Sequence, residues 1–271
     1  HREQVATAYA EMLEKVDAGI GRLDPIGRLA SLCGYSADEL RGYPRALLAS
    51  SFGCGDPFVF ADLEAGHTVL DVGCGAGLDL VRAAGSVTST GRVVGVDLSA
   101  PMVERARQYL ADAGAPFDVA TGFAEALPVG DGVAHRVLSN NLVNLSLDKD
   151  EVFAEMARVL APGGRLVLCE VTAEELPDWV RLSRGLLVRG VAGALPVQSV
   201  IEGLEGAGLE GVTVRRREVY DEHQVEALVD GGLAGIDVPG CAASGAIMGS
   251  EVASLFAGSL ASVTVTAVKP T

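Results

Sequence analysis

Basic residues are scarce in this chain: 21 Lys and Arg stand against 36 Asp and Glu, a formal net charge of -15 at neutral pH. A face that follows a phosphate backbone needs clustered cations. The one basic run, Arg215-Arg216-Arg217, reads as a strand with its charges in solvent, so nucleic acid is excluded as a partner. Long apolar runs are missing too. No stretch reaches the roughly 18 consecutive apolar residues of a membrane span, and the opening His-Arg-Glu-Gln lacks the apolar core of a secretion signal. Cys33, Cys54, Cys74, Cys169 and Cys241 form neither a zinc spacing nor an even disulfide set. Asp, Glu and His form no ligand cluster, so no metal is expected, and a reduced, cytoplasmic protein without a membrane partner is. Aromatic residues are sparse at 5%, but a hydrophobic share of 49% is ample for a core.

Glycine, by contrast, is plentiful, with 34 in 271 residues, and its placement carries the chemistry. An apolar strand, Val69 to Val72, runs into a turn holding Gly73, Gly75 and Gly77, and a helix follows. Such a turn lets a ligand lie directly on the main chain. About 20 residues later Arg92-Val-Val-Gly-Val-Asp97 forms a second apolar strand ending in an acidic residue, where a carboxylate commonly accepts from ribose hydroxyls. Asp97 has a second reading as a helix cap beside Ser99. The spacing is G-x-G-x-G, not the G-x-G-x-x-G that seats a pyrophosphate at a helix start. Asp71 and Asp79 flank the turn, and acidic groups suit a cationic sulfonium and an amino group better than a pyrophosphate. The expected ligand is therefore S-adenosylmethionine rather than a dinucleotide, with Gly73, Cys74, Gly75 and Gly77 at the ligand.

Strands are predicted near 68–72, 92–96, 117–120, 134–139 and 164–171, with helices at 77–84, 100–113 and 148–160 between them. That rhythm indicates a parallel sheet covered on both faces. Helical spacing marks residues 3–19, and a second cap helix is predicted around Ser36 to Leu47. A helix-rich stretch (173–208), a strand at 211–218 and a closing strand at 262–268 follow. The alternation of the closing strand reads as an edge. The expected organisation is a helical N-terminal cap (1–60), a ligand-binding core (61–218), an insertion or lid (219–258) and a C-terminal edge strand (259–271).

Val-Leu-Asp-Val-Gly-Cys-Gly-Ala-Gly, then Val-Val-Gly-Val-Asp, Ala-Leu-Pro and Leu-Ala-Pro-Gly-Gly-Arg-Leu, in that order over about residues 66–170, resemble a class I S-adenosylmethionine-dependent methyltransferase. The resemblance implies a doubly wound α/β fold with a mostly parallel seven-stranded sheet, and S-adenosylhomocysteine as product. More narrowly, Ser51-Phe-Gly-Cys-Gly-Asp-Pro57, Gly77-Leu-Asp79, Ser139-Asn-Asn-Leu-Val-Asn-Leu145 and Gly193-Ala-Leu195 resemble landmarks of the arsenite methyltransferase family. Gly34-Tyr-Ser-x-x-Glu-Leu40 extends that match through most of the first 195 residues. In that family As(III) is held by cysteine thiolates, the soft ligands of proteins. Cys54 keeps one of these positions, whereas Asn141 and Gly190 stand where the other two belong. An organic acceptor is thus expected ahead of arsenite.

The resemblance implies that Asp71 supports the methionine end of the cofactor, with satisfaction of loop backbone donors as the alternative. Leu98 and Met102 follow Asp97, and Met102 either packs on the adenine face or fills the core. Phe123 and Ala124 fall where related enzymes meet the adenine edge. Asn140, ending the fourth strand, lies at the crevice where ligands of open α/β sheets bind, or else stabilises a turn. Cys54, Asn141 and Asn144 are the substrate-side candidates, although Cys54 also reads as a packing thiol and Cys74 as filler. His67 and His135, at strand starts, read as structural. A general base is needed only if the acceptor atom arrives protonated; His223, Tyr9 and Glu170 are the leading candidates, with Tyr35 and Tyr43 behind them. The expected function is methyl transfer to a small organic molecule. The alternatives are methylation of arsenite or another thiol-bound acceptor, and a cofactor-binding protein with other chemistry or a regulatory role.

Overall fold

The computed structural model describes residues 1–19, 24–229 and 256–271. Seven strands form one sheet in the order β3-β2-β1-β4-β5-β7-β6. They are β1 (Thr68–Val72), β2 (Arg92–Asp97), β3 (Phe117–Thr121), β4 (Ala134–Asn140), β5 (Leu160–Ala173), β6 (Glu210–Val219) and β7 (Leu260–Val268). β1 to β5 run parallel, and β7 is antiparallel to both its neighbours. Val69, Leu70 and Val72 of β1 are all fully buried, as a parallel strand covered on both faces must be.

The chain runs outward from β1 to β2 and β3, then returns to place β4 on the other side of β1. That reversal opens a crevice beyond the C-terminal ends of β1 and β4, the usual ligand position in open α/β sheets. Helix α5 (Leu78–Val87) starts at the crevice and buries Leu78, Leu80, Ala83, Ala84 and Val87. Helix α6 (Ala100–Leu110) opens with Pro101 in its first turn, where the missing N–H is not needed, and buries Met102, Val103, Ala106 and Leu110. Helix α7 (Lys149–Val159) is capped by Asp148, whose carboxylate accepts from the Glu151 N–H. Beyond β5 come the short α8 (Asp178–Arg181) and α9 (Arg184–Leu187), then α10 (Val197–Gly206); α11 (Glu222–Val229) follows β6.

The cap consists of α1 (Arg2–Asp17) and three short α-helices, α2 (Pro25–Arg28), which runs on into a π-helical segment at Leu29–Cys33, α3 (Ala37–Leu40) and α4 (Arg45–Ala49). The single helix expected over 36–47 is therefore two, because Pro44 cannot continue one and instead precedes the next. Leu13, Leu29, Leu32, Leu40, Leu47 and Leu48 of the cap pack with Ala76, Leu78 and Met102 in one apolar cluster.

The expectation of a C-terminal edge strand is corrected: β7 lies between β5 and β6, and β6 is the edge. The alternating Ser262, Thr264 and Thr266 were the misleading signal, since all three are buried. Ser262 Oγ donates to the Cys54 carbonyl at 2.6 Å, and Thr264 Oγ1 lies 3.5 Å from Cys169 Sγ. The lid expected over 219–258 falls largely outside the described residues; its described part is the end of β6, α11 and residues 256–258.

Candidate active site

The crevice holds a cleft of about 1100 Å3, counting the part open to solvent. Its floor is the turn after β1. Gly73 and Cys74 both donate their N–H to the Val96 carbonyl, at 2.8 and 3.2 Å, which folds the turn back onto β2. Two glycines there have distinct reasons. At Gly73, with φ +80, a Cβ would fall 2.4 Å from Leu142. At Gly75, with φ +51, a Cβ would meet nothing within 4 Å, so a side chain would project into the cleft. The backbone is thus a bare cradle where a ligand can lie.

Three carboxylates surround that cradle: Asp71, Asp79 and Asp97 all line the cleft. Asp97 accepts from Gly75 N with Oδ2 and from Ser99 N with Oδ1, both at 2.8 Å. Each oxygen keeps lone pairs for a further donor. Burial pushes this carboxyl above its usual range, against the pull of those N–H groups. Asp79 accepts from Tyr35 at 3.0 Å, Asn140 Nδ2 at 3.2 Å and Arg82 at 3.4 Å. Arg82 is itself clamped by Asp56 at 2.8 and 3.2 Å and lies over the Phe58 ring. Asp71 differs. It is 3% exposed, and among the described residues no donor reaches its carboxyl. Burial first, then the charges of Asp79 and Asp97, push it well above the usual carboxylate range.

Asn140 joins cap to core. Its Oδ1 accepts from Cys54 N (2.9 Å) and Gly55 N (3.2 Å), and its Nδ2 donates to Gly55 O (2.8 Å), Tyr35 Oη (3.1 Å) and Asp79. Both readings of this residue hold together: it lines the cleft and it secures a turn. Phe123 and Ala124 border the cleft beside Leu98. Arg2 stacks on the Phe123 ring at 4.7 Å and reaches Glu125 at 3.4 Å. Cys74 lines the cleft too, with its thiol pushed well up by burial.

Other expected site residues lie elsewhere. Met102 is fully buried in the cap cluster and fills the core. Cys54 is 1% exposed, packs with Cys169 and Val171 in an apolar cluster, and does not line the cleft. Its thiol is pushed well up, first by burial and then by Glu170. Asn144 is spent on structure, donating to Val171 O at 2.6 Å and Gly190 O at 2.8 Å. Gly193 packs so close that a Cβ there would fall 1.9 Å from the Asn144 carbonyl. Glu170 is completely buried outside the cleft and accepts from Val143 N at 2.7 Å. Burial pushes its pKa up to about 8. His223 is exposed on α11 and Tyr43 packs in the cap, so of the base candidates Tyr9 alone lines the cleft, donating to Val188 O at 3.1 Å. Tyr35 is buried against Asp79. His67 and His135 stack on each other at 5.4 Å, and each accepts a backbone N–H, as a structural pair does.

Asn141 lines the cleft with φ +63 and donates from Nδ2 to Phe52 O at 3.1 Å. A Cβ at Gly190 would fall 2.2 Å from Asn141 Oδ1. The two positions where the family resemblance called for thiols therefore adjoin, and the carboxamide of one fills the space left by the other. Glu125 lines the cleft beside Phe123 and Ala124, in the stretch expected at the adenine edge, whereas sequence reasoning missed Arg2, Val5 and Ala6 of α1 and Ser146, which also line it. Ser146 Oγ donates to Glu125 Oε1 at 2.5 Å. No local motif marks the α1 residues, because only the packing of α1 across the crevice brings them there.

Residues 69–164 match the methyltransferase domain family. An arsenite methyltransferase of Halobacterium salinarum is 37% identical over 191 residues, covering 70% of this chain and 49% of that protein. The crystal structure of an arsenic(III) S-adenosylmethionine methyltransferase from Chlamydomonas reinhardtii superposes with a TM-score of 0.63 at 26% identity, covering 86% of this chain and 72% of that one. The [4+2]-cyclase SpnF shares the fold, with a TM-score of 0.57 at 23% identity over 79% of each chain. The fold and the glycine turn define a class I S-adenosylmethionine-dependent methyltransferase domain. Within that class the chain resembles the arsenite methyltransferases. It spans about half the length or less of the first curated relatives it matches. The bare glycine cradle, the acceptor pair on Asp97 and the undonated carboxyl of Asp71 fit a nucleoside carrying a cationic end. Among the described residues no group of three or more His, Cys, Asp or Glu is placed to hold a metal, and no helix is long and apolar enough to cross a membrane.

Proposed function

We propose that this protein transfers a methyl group from S-adenosylmethionine to a small organic molecule. The observation that carries the reading is the Asn141–Gly190 contact together with the burial of Cys54 outside the cleft. A soft ion needs converging thiolates; here a carboxamide occupies that corner and the remaining thiol is held neutral by burial. When bound, the cofactor supplies a methyl group on a sulfonium. The chain's part is to hold the nucleoside on the Gly73–Gly77 turn and Asp97, to face its cationic end with Asp71 and Asp79, and to wall the rest of the cleft with Tyr9, Phe52, Leu142 and Leu145. Such a site works mainly by aligning the acceptor and excluding water. A cytoplasmic setting belongs to the same proposal, supported by cysteines that form neither a zinc spacing nor an even disulfide set.

The test is S-adenosylhomocysteine formation across a panel of organic acceptors, with arsenite plus excess thiol as a separate arm. Turnover of an organic acceptor with little on arsenite supports the proposal. The second reading, arsenite methylation, is favoured by the relatives; it wins if arsenite turns over robustly and Cys54→Ser abolishes that turnover. Cofactor binding with no product from any acceptor favours the third, a binding role or other chemistry.

A further inference from the structure

Methyl transfer changes the charge of the bound cofactor, and the cleft is built asymmetrically towards charge. Among the described residues its lining carries the carboxyls of Asp71, Asp79, Asp97 and Glu125 against one cation, Arg2. Arg82 stands behind Asp79 and is already engaged by Asp56, Asp79 and Glu39. Glu125 is paired with Arg2 and Ser146. Asp97 has two N–H donors and Asp79 has three side-chain donors. Asp71 is the member left over, buried, lining the cleft and reached by no donor among the described residues. The groups facing it are Asp79 from α5, Asp97 from β2 and the Cys74 thiol from the turn. Asp79 and Asp97 each raise the cost of its ionisation in an empty cleft, whereas the buried Cys74 thiol carries no charge.

Resting on the methyl-transfer reading, we propose that Asp71 is a charge-selecting residue that favours the sulfonium cofactor over its neutral thioether product, taking up a proton as the positive charge leaves. In the forward step the acceptor's lone pair forms the new bond to the methyl carbon, and the carbon–sulfur bond breaks with its electrons going to sulfur. The sulfur is then neutral. The positive charge passes to the acceptor, which carries it away or sheds a proton to solvent. The product keeps the α-ammonium common to both ligands, but Asp71 loses the sulfonium charge and takes a proton from solvent. The product thus leaves a cleft that attracts it less. In the reverse direction, cofactor entry releases that proton. The same carboxyl thus helps to bind one ligand and to let go of the other.

The linkage has a fixed sign. A cation favours the ionised carboxyl, so affinity for S-adenosylmethionine rises with pH through the range in which Asp71 of the free cleft is protonated. S-adenosylhomocysteine lacks the sulfonium and should show a shallower rise. Calorimetry of both compounds against the whole protein, in buffers of low and high ionisation enthalpy at about pH 6 and about pH 8, reads proton release and affinity together. We expect greater proton release with S-adenosylmethionine, and a ratio of the two dissociation constants that moves in its favour as pH rises. Asp71→Asn should remove the excess proton release and shrink the ratio by about tenfold, as loss of one nearby charge at intermediate dielectric predicts. Equal proton release and the same pH slope for both ligands in the wild type overturns the proposal, and needs no variant to fold. An Asp71→Asn protein that folds and keeps the wild-type ratio also overturns it. If neither compound binds, the cofactor reading itself fails, and the inference falls with it.

Discussion

Asp97 shows how much one side chain does at this site. Its two oxygens already hold the N–H groups of Gly75 and Ser99, so it shapes the turn and still offers acceptors to the cleft. Asp97→Ala should weaken S-adenosylmethionine binding by about 1.5–3 kcal/mol, the usual worth of hydrogen bonds to charged groups; unchanged affinity by calorimetry for the folded variant would remove Asp97 from the site. Gly75→Val should do worse, because its side chain would enter open cleft space and its φ of +51 suits glycine. Wild-type affinity in that variant would contradict the turn assignment. Glu170 makes a prediction of another kind. Its folded pKa is about 8, well above a carboxyl in an unfolded chain. Below the unfolded value both states hold the proton. As pH rises, the unfolded state ionises first, so stability falls by up to about 1.4 kcal/mol per pH unit until the folded pKa is passed. Glu170→Gln should flatten the urea-midpoint profile between about pH 5 and pH 8, and a slope like that of the wild type would show Glu170 is not the group responsible. At this scale the glycines and acidic residues were legible from spacing alone. The burial of Glu170, Cys54 and Asn144 was not, because it depends on segments near residues 190 and 260 that no local pattern links to them.

Among the elements, the parallel strands were the most legible, above all β1 and β2, which are short and largely apolar between clear turn signals. The cap was harder to read. Its short helices pack through one apolar cluster, and the Asn140 carboxamide at the end of β4 adds a polar junction that ties the 54–55 turn and Tyr35 to Asp79. Asn140→Ala should leave those buried partners unpaired and destabilise the fold by about 2–3 kcal/mol. Hydrogen exchange should locate the loss: amides of Cys54 and Gly55 should lose more protection than the strands of the sheet. Uniform loss across the sheet, or none, would mean that the cap does not depend on this junction. Helix α1 has only Val5 and Leu13 buried, yet supplies Arg2, Val5, Ala6 and Tyr9 to the cleft. Its amphipathic pattern disclosed a helix but not what the helix covers.

Across the whole molecule, the landmarks of one family sit on a site that departs from it. The sequence shows Asn141 and Gly190 as two separate exchanges; only the fold shows them in contact, each accommodating the other. Arsenite should accordingly turn over slowly or not at all, even with excess thiol, in a product assay by S-adenosylhomocysteine. The arrangement of the sheet has a further consequence, and it concerns time. A ribosome delivers β5 and β6 before β7, but in the finished sheet neither touches the other; each is joined to β7. Until residues 260–268 emerge, β5 has one bare edge and β6 has two, with Val263 and Val265 absent from the core they complete. Bare strand edges invite pairing with other chains. The glycine cradle and its carboxylates can thus be in place on a nascent chain whose other half still waits for residues 260–268.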